Sequence, residues 1–421
     1  MTIIICPTEK CNFKCSYCFE PDDQRKGLDI PFNMQAMKRS IAEVWKGPFQ
    51  GSDLCLHGGE STLIDRDKLE AIMDFLYGFK GNVNIVTNGS TIDDHMIQLF
   101  KKYNVHIGVS CDGPPELNVL RGPDPSNPET TRKYNEKLNY ALLKLKQEKL
   151  PTSIMCILHT ENAGTEDKLD LLKKWMLGLK TLGITGGRLN LMYGNKRFEL
   201  SPSRASEVWV QLYEHNKKHG LNWNPFKEME GNLKGEKLKP CVFNRCDMFS
   251  TRTLSIHPDG GIGNCDRTFS NGIYLRSRSP MKSGRYESLI QNQCKGCRFW
   301  EICGGGCPME GVGDDWRNKT RLCKPIYDLY SHIEKTLKTE NLSINLVTDG
   351  IQEKRVETWN IPHGDQGHGD ESHGDLPHGD SGHGDAPHGN MGHGDIPHGD
   401  SSHPDAPDWT LDPDSLEWRK P

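Results

Sequence analysis

The feature that most constrains this chain is an alternation over its first 220 or so residues, in which short β-rich runs take turns with apolar residues spaced three and four apart. Thr2 to Ile5, Leu54 to His57, Val83 to Thr87, Val105 to Ser110, Ser153 to His159 and Arg188 to Tyr193 read as strands. Between them, Met37, Ile41, Val44 and Trp45 mark one helical face, and Leu69, Ile72, Met73 and Leu76 another. Tyr134, Leu138, Ala141, Leu142 and Leu145 mark a third, and Leu169, Leu172, Trp175, Met176 and Leu179 a fourth. Thr91, ahead of Ile92-Asp93-Asp94, reads as a helix N-cap with acids in the first turn. Strand-helix units in such a row favour parallel strands with helices outside. The expected class is α/β, an open or partial (β/α)6 TIM-type barrel over residues 1–220, with functional groups gathered at the C-terminal ends of the strands.

The bulk numbers exclude several classes. Charged residues at 26% and a formal net charge of -5 describe an ordinary surface, without the basic excess that nucleic acid would require. There is no apolar run long enough to span a membrane and no signal peptide pattern, so no membrane is expected and the expected location is cytoplasmic. In that reducing setting the 15 cysteines read as metal ligands rather than disulfides.

Their spacing carries the chemistry. Cys11-Asn-Phe-Lys-Cys15-Ser-Tyr-Cys18 places three thiols on the loop after the first strand, at Cys-x3-Cys-x2-Cys spacing. A [4Fe-4S] cluster wants four ligands, so a cluster held by three leaves one iron open for a small molecule. A zinc knuckle, a structural disulfide set and a thiol-redox motif compete, although zinc prefers four closed ligands. With Tyr17 before the last cysteine, the segment resembles the radical S-adenosylmethionine enzymes. That resemblance implies S-adenosylmethionine at the open iron, its reduction, and a 5′-deoxyadenosyl radical that removes hydrogen from a substrate.

The same resemblance gives meaning to the turns that follow the strands. His57-Gly58-Gly59-Glu60 matches the family turn that holds the methionine ammonium, with Gly58 and Gly59 allowing close approach and Glu60 supplying a countercharge. Thr87-Asn88-Gly89 and Ser110-Cys111-Asp112-Gly113-Pro114 resemble segments near the cofactor, with Ser110 a candidate for a ribose hydroxyl. Tyr17 and Asn88 join the cofactor-binding candidates. Where many relatives carry His-Asp before an arginine, this chain has Leu117-Asn118 before Arg121. Cys55 and Cys156, inside apolar strands, read as core; Cys6 and Cys111 have no partner that the sequence identifies.

Residues 221–240 lose periodicity and read as a linker to a second domain at 241–340. Cys241 and Cys246 are followed by Gly260 and Cys265, then by Cys294, Cys297, Cys303 and Cys307 at Cys-x2-Cys-x5-Cys-x3-Cys spacing, and by Cys323. Eight thiols suffice for two further clusters or for a pair of zinc ribbons. The pattern resembles the SPASM extension of peptide- and protein-modifying radical enzymes. The resemblance assigns one auxiliary cluster to Cys241, Cys246, Cys265 and Cys307, and another to Cys294, Cys297, Cys303 and Cys323. Asp266, directly after Cys265, matches an aspartate proposed as proton acceptor in sulfatase-maturing relatives; a structural hydrogen-bonding role stays open beside it.

From His363 to His403, nine histidines recur every five residues in units rich in Gly, Pro and Asp. Residues 341–421 therefore read as a disordered low-complexity tail: a metal-binding segment, a spacer, or a fused substrate with Trp409 and Trp418 as targets. The functional expectation is an oxidoreductase with three [4Fe-4S] clusters and S-adenosylmethionine, acting on a peptide or protein and fed by a flavodoxin or ferredoxin. Because Cys11 comes so early, no leader-peptide-binding domain is expected ahead of the barrel. The alternative is a non-catalytic zinc-ribbon protein that handles metal through its histidine tail.

Overall fold

The structure, a computed structural model, describes residues 2–18, 30–46, 49–236, 253–263, 265, 267, 281–344, 410–411 and 418–419. The tail histidines, Trp409, Cys241, Cys246 and Asp266 lie outside the described residues.

The first strand, β1 (Thr2–Ile5), is followed by α1 (Met34–Lys46), β2 (Asp53–Leu56), α2 (Arg66–Lys80), β3 (Val83–Thr87), α3 (Asp94–Lys102) and β4 (Val105–Ser110). Then come α4 (Pro128–Gln147), β5 (Thr152–Leu158), the one-turn α5 (Thr160–Ala163), α6 (Glu166–Thr181), β6 (Gly186–Leu191) and α7 (Pro202–Lys218). The strands pair side by side in chain order, all parallel. Asn127 caps α4 and Ser201 caps α7, each with proline at the first helical position, where its missing N–H costs nothing. The cap of α3 is Asp93, which accepts from Met96 N, and not Thr91. Asp93 wins because its carboxylate sits one residue before the helix, whereas the Thr91 hydroxyl turns to Thr62.

Residue parity divides the sheet into two faces. Ile3, Ile5, Leu54, Leu56, Ile107, Val109, Ile154, Cys156, Leu189 and Leu191 join the large apolar cluster beneath the helices. The opposite, inner face is mixed: Cys55, Val86 and Met155 form a small cluster of their own, while Asn84, Ser110, Arg188 and Asn190 are buried polar residues. Arg188 pairs there with Glu228 at 3.3 Å.

The expected linker is not one over its described part. β7 (Asn222–Asn224) pairs with β6, and α8 (Phe226–Leu233) follows it, with Trp223, Phe226, Met229 and Leu233 all buried. A three-residue strand and an eight-residue helix are too short to display a period, which is why the sequence pattern faded. The sheet also grows at its other edge. β8 (Thr253–Ile256) pairs in parallel with β1, and β9 (Ile262–Gly263) adds antiparallel, giving nine strands in the order β7-β6-β5-β4-β3-β2-β1-β8-β9.

The C-terminal cysteine region contributes α9 (Met281–Gln291), α10 (Trp300–Cys303) and α11 (Cys323–Thr339). Ile326, Leu329, Tyr330, Ile333 and Leu337 recur on one face of α11 and are buried as it packs on α7 and α8. At about 1.5–3 kcal/mol for each large apolar side chain removed from water, this seam fixes the region to the barrel. Asn232 Nδ2 donates to the Tyr330 hydroxyl at 2.9 Å across it. Two short strands, β10 (Thr410–Leu411) and β11 (Trp418–Arg419), pair antiparallel. No helix among the described residues is long and apolar enough to cross a membrane.

Candidate active site at the mouth of the sheet

The Cys11–Cys18 loop leaves the C-terminal end of β1 with its backbone held from both sides. His57 N donates to Ile5 O at 2.8 Å, Gly59 N to Thr8 O at 3.1 Å and Glu60 N to Lys10 O at 2.9 Å, so the turn after β2 runs beside the loop. On the other side, Lys14 N and Ser16 N donate to Gly122 O and Leu120 O, each at 2.9 Å. The two glycines are required by this approach. A Cβ on Gly59 would lie 2.4 Å from the carbonyl oxygens of both Glu9 and Lys10, and one on Gly58, at φ +101°, would lie 2.7 Å from Thr8 O. The close approach expected of these glycines is made here to the cysteine loop itself.

Glu60 is buried, and donors surround its carboxylate: Thr87 Oγ1 at 2.8 Å, Asn88 N at 2.6 Å, and Thr62 through both hydroxyl and amide. Burial still raises its pKa, against the lowering effect of those hydrogen bonds. Asn88 Nδ2 reaches Asn12 Oδ1 at 2.8 Å, which joins the end of β3 to the cysteine loop. Ser110 is buried at the end of β4, and the Tyr134 hydroxyl bridges its carbonyl to that of Asn88 at 3.4 and 3.1 Å. Cys11, Cys15 and Cys18 are all half-buried. Burial, then Cys15, Glu60 and Cys18, push the Cys11 thiol well above its usual range. Three thiols close enough to raise one another's charge cost offer the thiolate donors that an iron-sulfur cluster takes, and the Glu60 carboxylate beside them is available to a bound cation without being one of that set.

A second gathering of thiols lies in the C-terminal region. Cys294 is pushed up to about 11 by burial and then by Cys323 and Cys297, and Cys303 to about 12 by burial and then by Cys323, Cys294 and Cys297. These four thiols are therefore near enough to raise one another's charge cost. Cys265 and Cys307 both act on Arg267, whose Nη1 lies 3.7 Å from Cys307 Sγ and 2.8 Å from Glu310 Oε1. The turns between are tight: a Cβ on Gly306 would lie 2.2 Å from Thr320 Cγ2, and one on Gly305 2.5 Å from Leu289 Cδ1. Buried Arg285 braces them, its guanidinium donating to the carbonyls of Gly304, Gly306, Trp316 and Asn318.

The sequence model of the Radical SAM superfamily matches residues 5–198, the span that carries the cysteine loop and strands β2 to β6. Residues 5–198 are a radical SAM domain. Over 341 residues it is 24% identical to a cysteine-type anaerobic sulfatase-maturating enzyme of Clostridium novyi, covering 73% of this chain and 87% of that protein. Over 367 residues it is 23% identical to a serine-type anaerobic sulfatase-maturating enzyme of Klebsiella aerogenes, covering 80% and 85%. Among solved structures, anSMEcpe with bound AdoMet superposes with a TM-score of 0.64 at 17% identity, over 82% of this chain and 100% of that one. SuiB of Streptococcus suis bound to the precursor peptide SuiA gives 0.50 at 15% identity, over 76% and 75%.

In this radical SAM domain, Tyr17 is not a surface aromatic. It is 1% exposed, packs on Leu120, Ile157 and Met192, and donates its hydroxyl to Asp112 Oδ2. Asp112, fully buried, also accepts from Ile157 N at 2.9 Å and lies 3.5 Å from Arg121 Nε, whose guanidinium sits 5.5 Å over the Tyr17 ring. Burial pushes the Asp112 carboxyl up, but Arg121 and His159 outweigh it and the net shift is down, so the pair is ionised. Asn118, part of the departure from the family pattern, accepts from Asp112 N at 3.0 Å and donates to Asn135 at 2.7 Å. Asp112, Arg121 and His159 were not among the candidates read from sequence. The signal was an acid ending a strand, but its partners lie 95 residues before it and on a loop and a strand after it.

Proposed function

We propose that this radical SAM enzyme oxidises a side chain of a peptide or protein in the cytoplasm, as a maturase of the sulfatase-maturating or ribosomal-peptide kind. The observation that carries the reading is the convergence of Cys11, Cys15 and Cys18 with Glu60 at the C-terminal mouth of a parallel sheet. A second four-thiol group, on the same apolar core, supports it. When bound, a reduced [4Fe-4S] cluster with S-adenosylmethionine supplies a 5′-deoxyadenosyl radical able to remove a hydrogen atom from carbon.

This chain's residues would hold and orient. Cys11, Cys15 and Cys18 would hold that cluster, three ligands for a group that takes four, which would leave room for the cofactor. Glu60, with Gly58, Gly59, Asn88, Ser110 and Tyr17 around it, seats the cofactor. Cys294, Cys297, Cys303 and Cys323 hold one auxiliary cluster, and Cys241, Cys246, Cys265 and Cys307 another, for three in all. An auxiliary cluster would supply an acceptor for the substrate's second electron and Asp266 would take up the accompanying proton, so that with the hydrogen atom removed the balance is a two-electron oxidation. A flavodoxin or ferredoxin resupplies the first electron. The maturase relatives and the peptide-bound neighbour support a peptide substrate.

The test is anaerobic reconstitution with iron and sulfide. We expect brown protein with about 12 irons per chain, 5′-deoxyadenosine on reduction, and a mass change in a peptide carrying the target residue. Colourless protein that holds zinc alone and releases no nucleoside would establish the metal-handling alternative instead.

A further inference from the structure

We propose that Cys6, Glu9 and His257 form a binding site for a single zinc-class divalent metal, separate from the three cysteines of the catalytic loop. The site follows from the strand that the sequence did not reveal. Because β8 pairs with β1 so that Ile5 lies opposite Ile256, the next residue on each strand, Cys6 and His257, emerges at the same edge of the sheet mouth. Cys6 N donates to Ile256 O at 2.8 Å, which locks that register. Glu9 comes back over the pair from the loop that leads to Cys11.

A thiol, a carboxylate and an imidazole thereby converge, with one ligand atom from each lying within 4.8 Å of the other two. All three side chains are nine-tenths or more buried, at 0%, 7% and 1% exposure for Cys6, Glu9 and His257. The ring of His257 is oriented as a metal-bound imidazole usually is. Nε2 lies 3.0 Å from Ser255 Oγ, on the inner face of the same strand, and Nδ1 faces Glu9 Oε1 at 2.8 Å. Two zinc ligands at about 2.0–2.1 Å from the metal in tetrahedral geometry lie about 3.3 Å apart. The ring and carboxylate need separate by only about 0.5 Å to admit the ion. Gly58 keeps the space open on the thiol side, since a Cβ there would lie 3.1 Å from Cys6 Cβ.

One sulfur, one nitrogen and one oxygen make a borderline donor set that favours zinc or a neighbouring transition metal over magnesium or calcium. Three protein ligands leave a fourth position for water. The ion would tie the segment just ahead of the catalytic cysteines to the β8–β9 hairpin that leads toward Cys265. It rests on different residues from the proposed function, so either can fail alone.

The test uses the full chain with its iron-sulfur clusters reconstituted, incubated with zinc ion alone and passed through gel filtration to remove loose metal. We expect about one zinc per chain beyond that retained by Cys6→Ala and by His257→Ala, with iron content and elution volume unchanged in both. Zinc-edge X-ray absorption of the wild-type protein should show one sulfur at about 2.3 Å and the remaining ligands as nitrogen or oxygen at about 2.0–2.1 Å. Zinc on the histidine tail would show no sulfur, and zinc in a vacant cluster site would show several; either spectrum overturns the proposal. Equal zinc in the wild type and in folded variants also overturns it, leaving a hydrogen-bonded Glu9–His257 pair beside an inert thiol. Should a variant lose iron, the wild-type spectrum still decides.

Discussion

Cys11, Cys15 and Cys18 sit on a loop whose backbone is bonded on one flank to the turn after β2 and on the other to Leu120 and Gly122. Cys294, Cys297, Cys303 and Cys323 sit instead on turns and helix ends, with Cys303 closing α10 and Cys323 opening α11. The first set takes its geometry from a parallel sheet and from the Tyr17–Asp112–Arg121 cluster beneath it. The second takes it from glycine turns, from Arg285, and from whatever the thiols themselves hold. The two thiol sites thus differ in what the polypeptide places around them: strand ends and a buried ionic cluster at the first, glycine turns and the Arg285 guanidinium at the second.

The sharpest way to break this contrast is to replace Cys11, Cys15 and Cys18 together by alanine. Formation of 5′-deoxyadenosine should fall at least about 1,000-fold while the C-terminal thiols keep their iron, read by nucleoside chromatography and iron assay. Loss of all iron would mean the two sites are not independent. Next in size is Asp112→Asn, which strands Arg121 as a buried, uncompensated charge. It should cost about 3–5 kcal/mol in denaturant unfolding. An unchanged midpoint would show that the cluster under Tyr17 does not support the loop.

Thr87→Val removes one donor from the buried Glu60 carboxylate and should cost about 1.5–3 kcal/mol, measured the same way. A smaller effect separates the regions directly. Stripping iron with a chelator should raise hydrogen exchange about tenfold in residues 294–323 and leave β3 to β5 unchanged. Equal loosening in both regions would erase the distinction.

Much of this architecture is legible in the sequence because buried parallel strands are nearly continuous apolar runs. β1, β3 and β4 fall where Ile and Val concentrate, and the turns after them carry the candidate residues. β7, Asn-Trp-Asn, and β8, Thr-Leu-Ser-Ile, escape because polar residues interrupt strands already short, and with β8 went the neighbourhood of Cys6. The thiols announce themselves by spacing alone. What Tyr17 does is not written locally: beside the cysteines it reads as a cofactor-binding candidate, and only the fold brings Asp112 to its hydroxyl. Asn118 likewise reads as a departure from a family pattern until its amide is seen holding the backbone of Asp112.

The parallel pairing of β1 with β8 sets a timetable for the chain as it is made. β1 leaves the ribosome first, yet its second neighbour is encoded about 250 residues later. At about 5–20 residues per second, roughly 12–50 s pass before that partner emerges. Throughout that interval the strand bearing the cysteine loop is an open edge. Iron delivered in that interval would meet a loop already flanked by the turn after β2 and by Leu120 and Gly122, on a strand that still lacks one of its two neighbours.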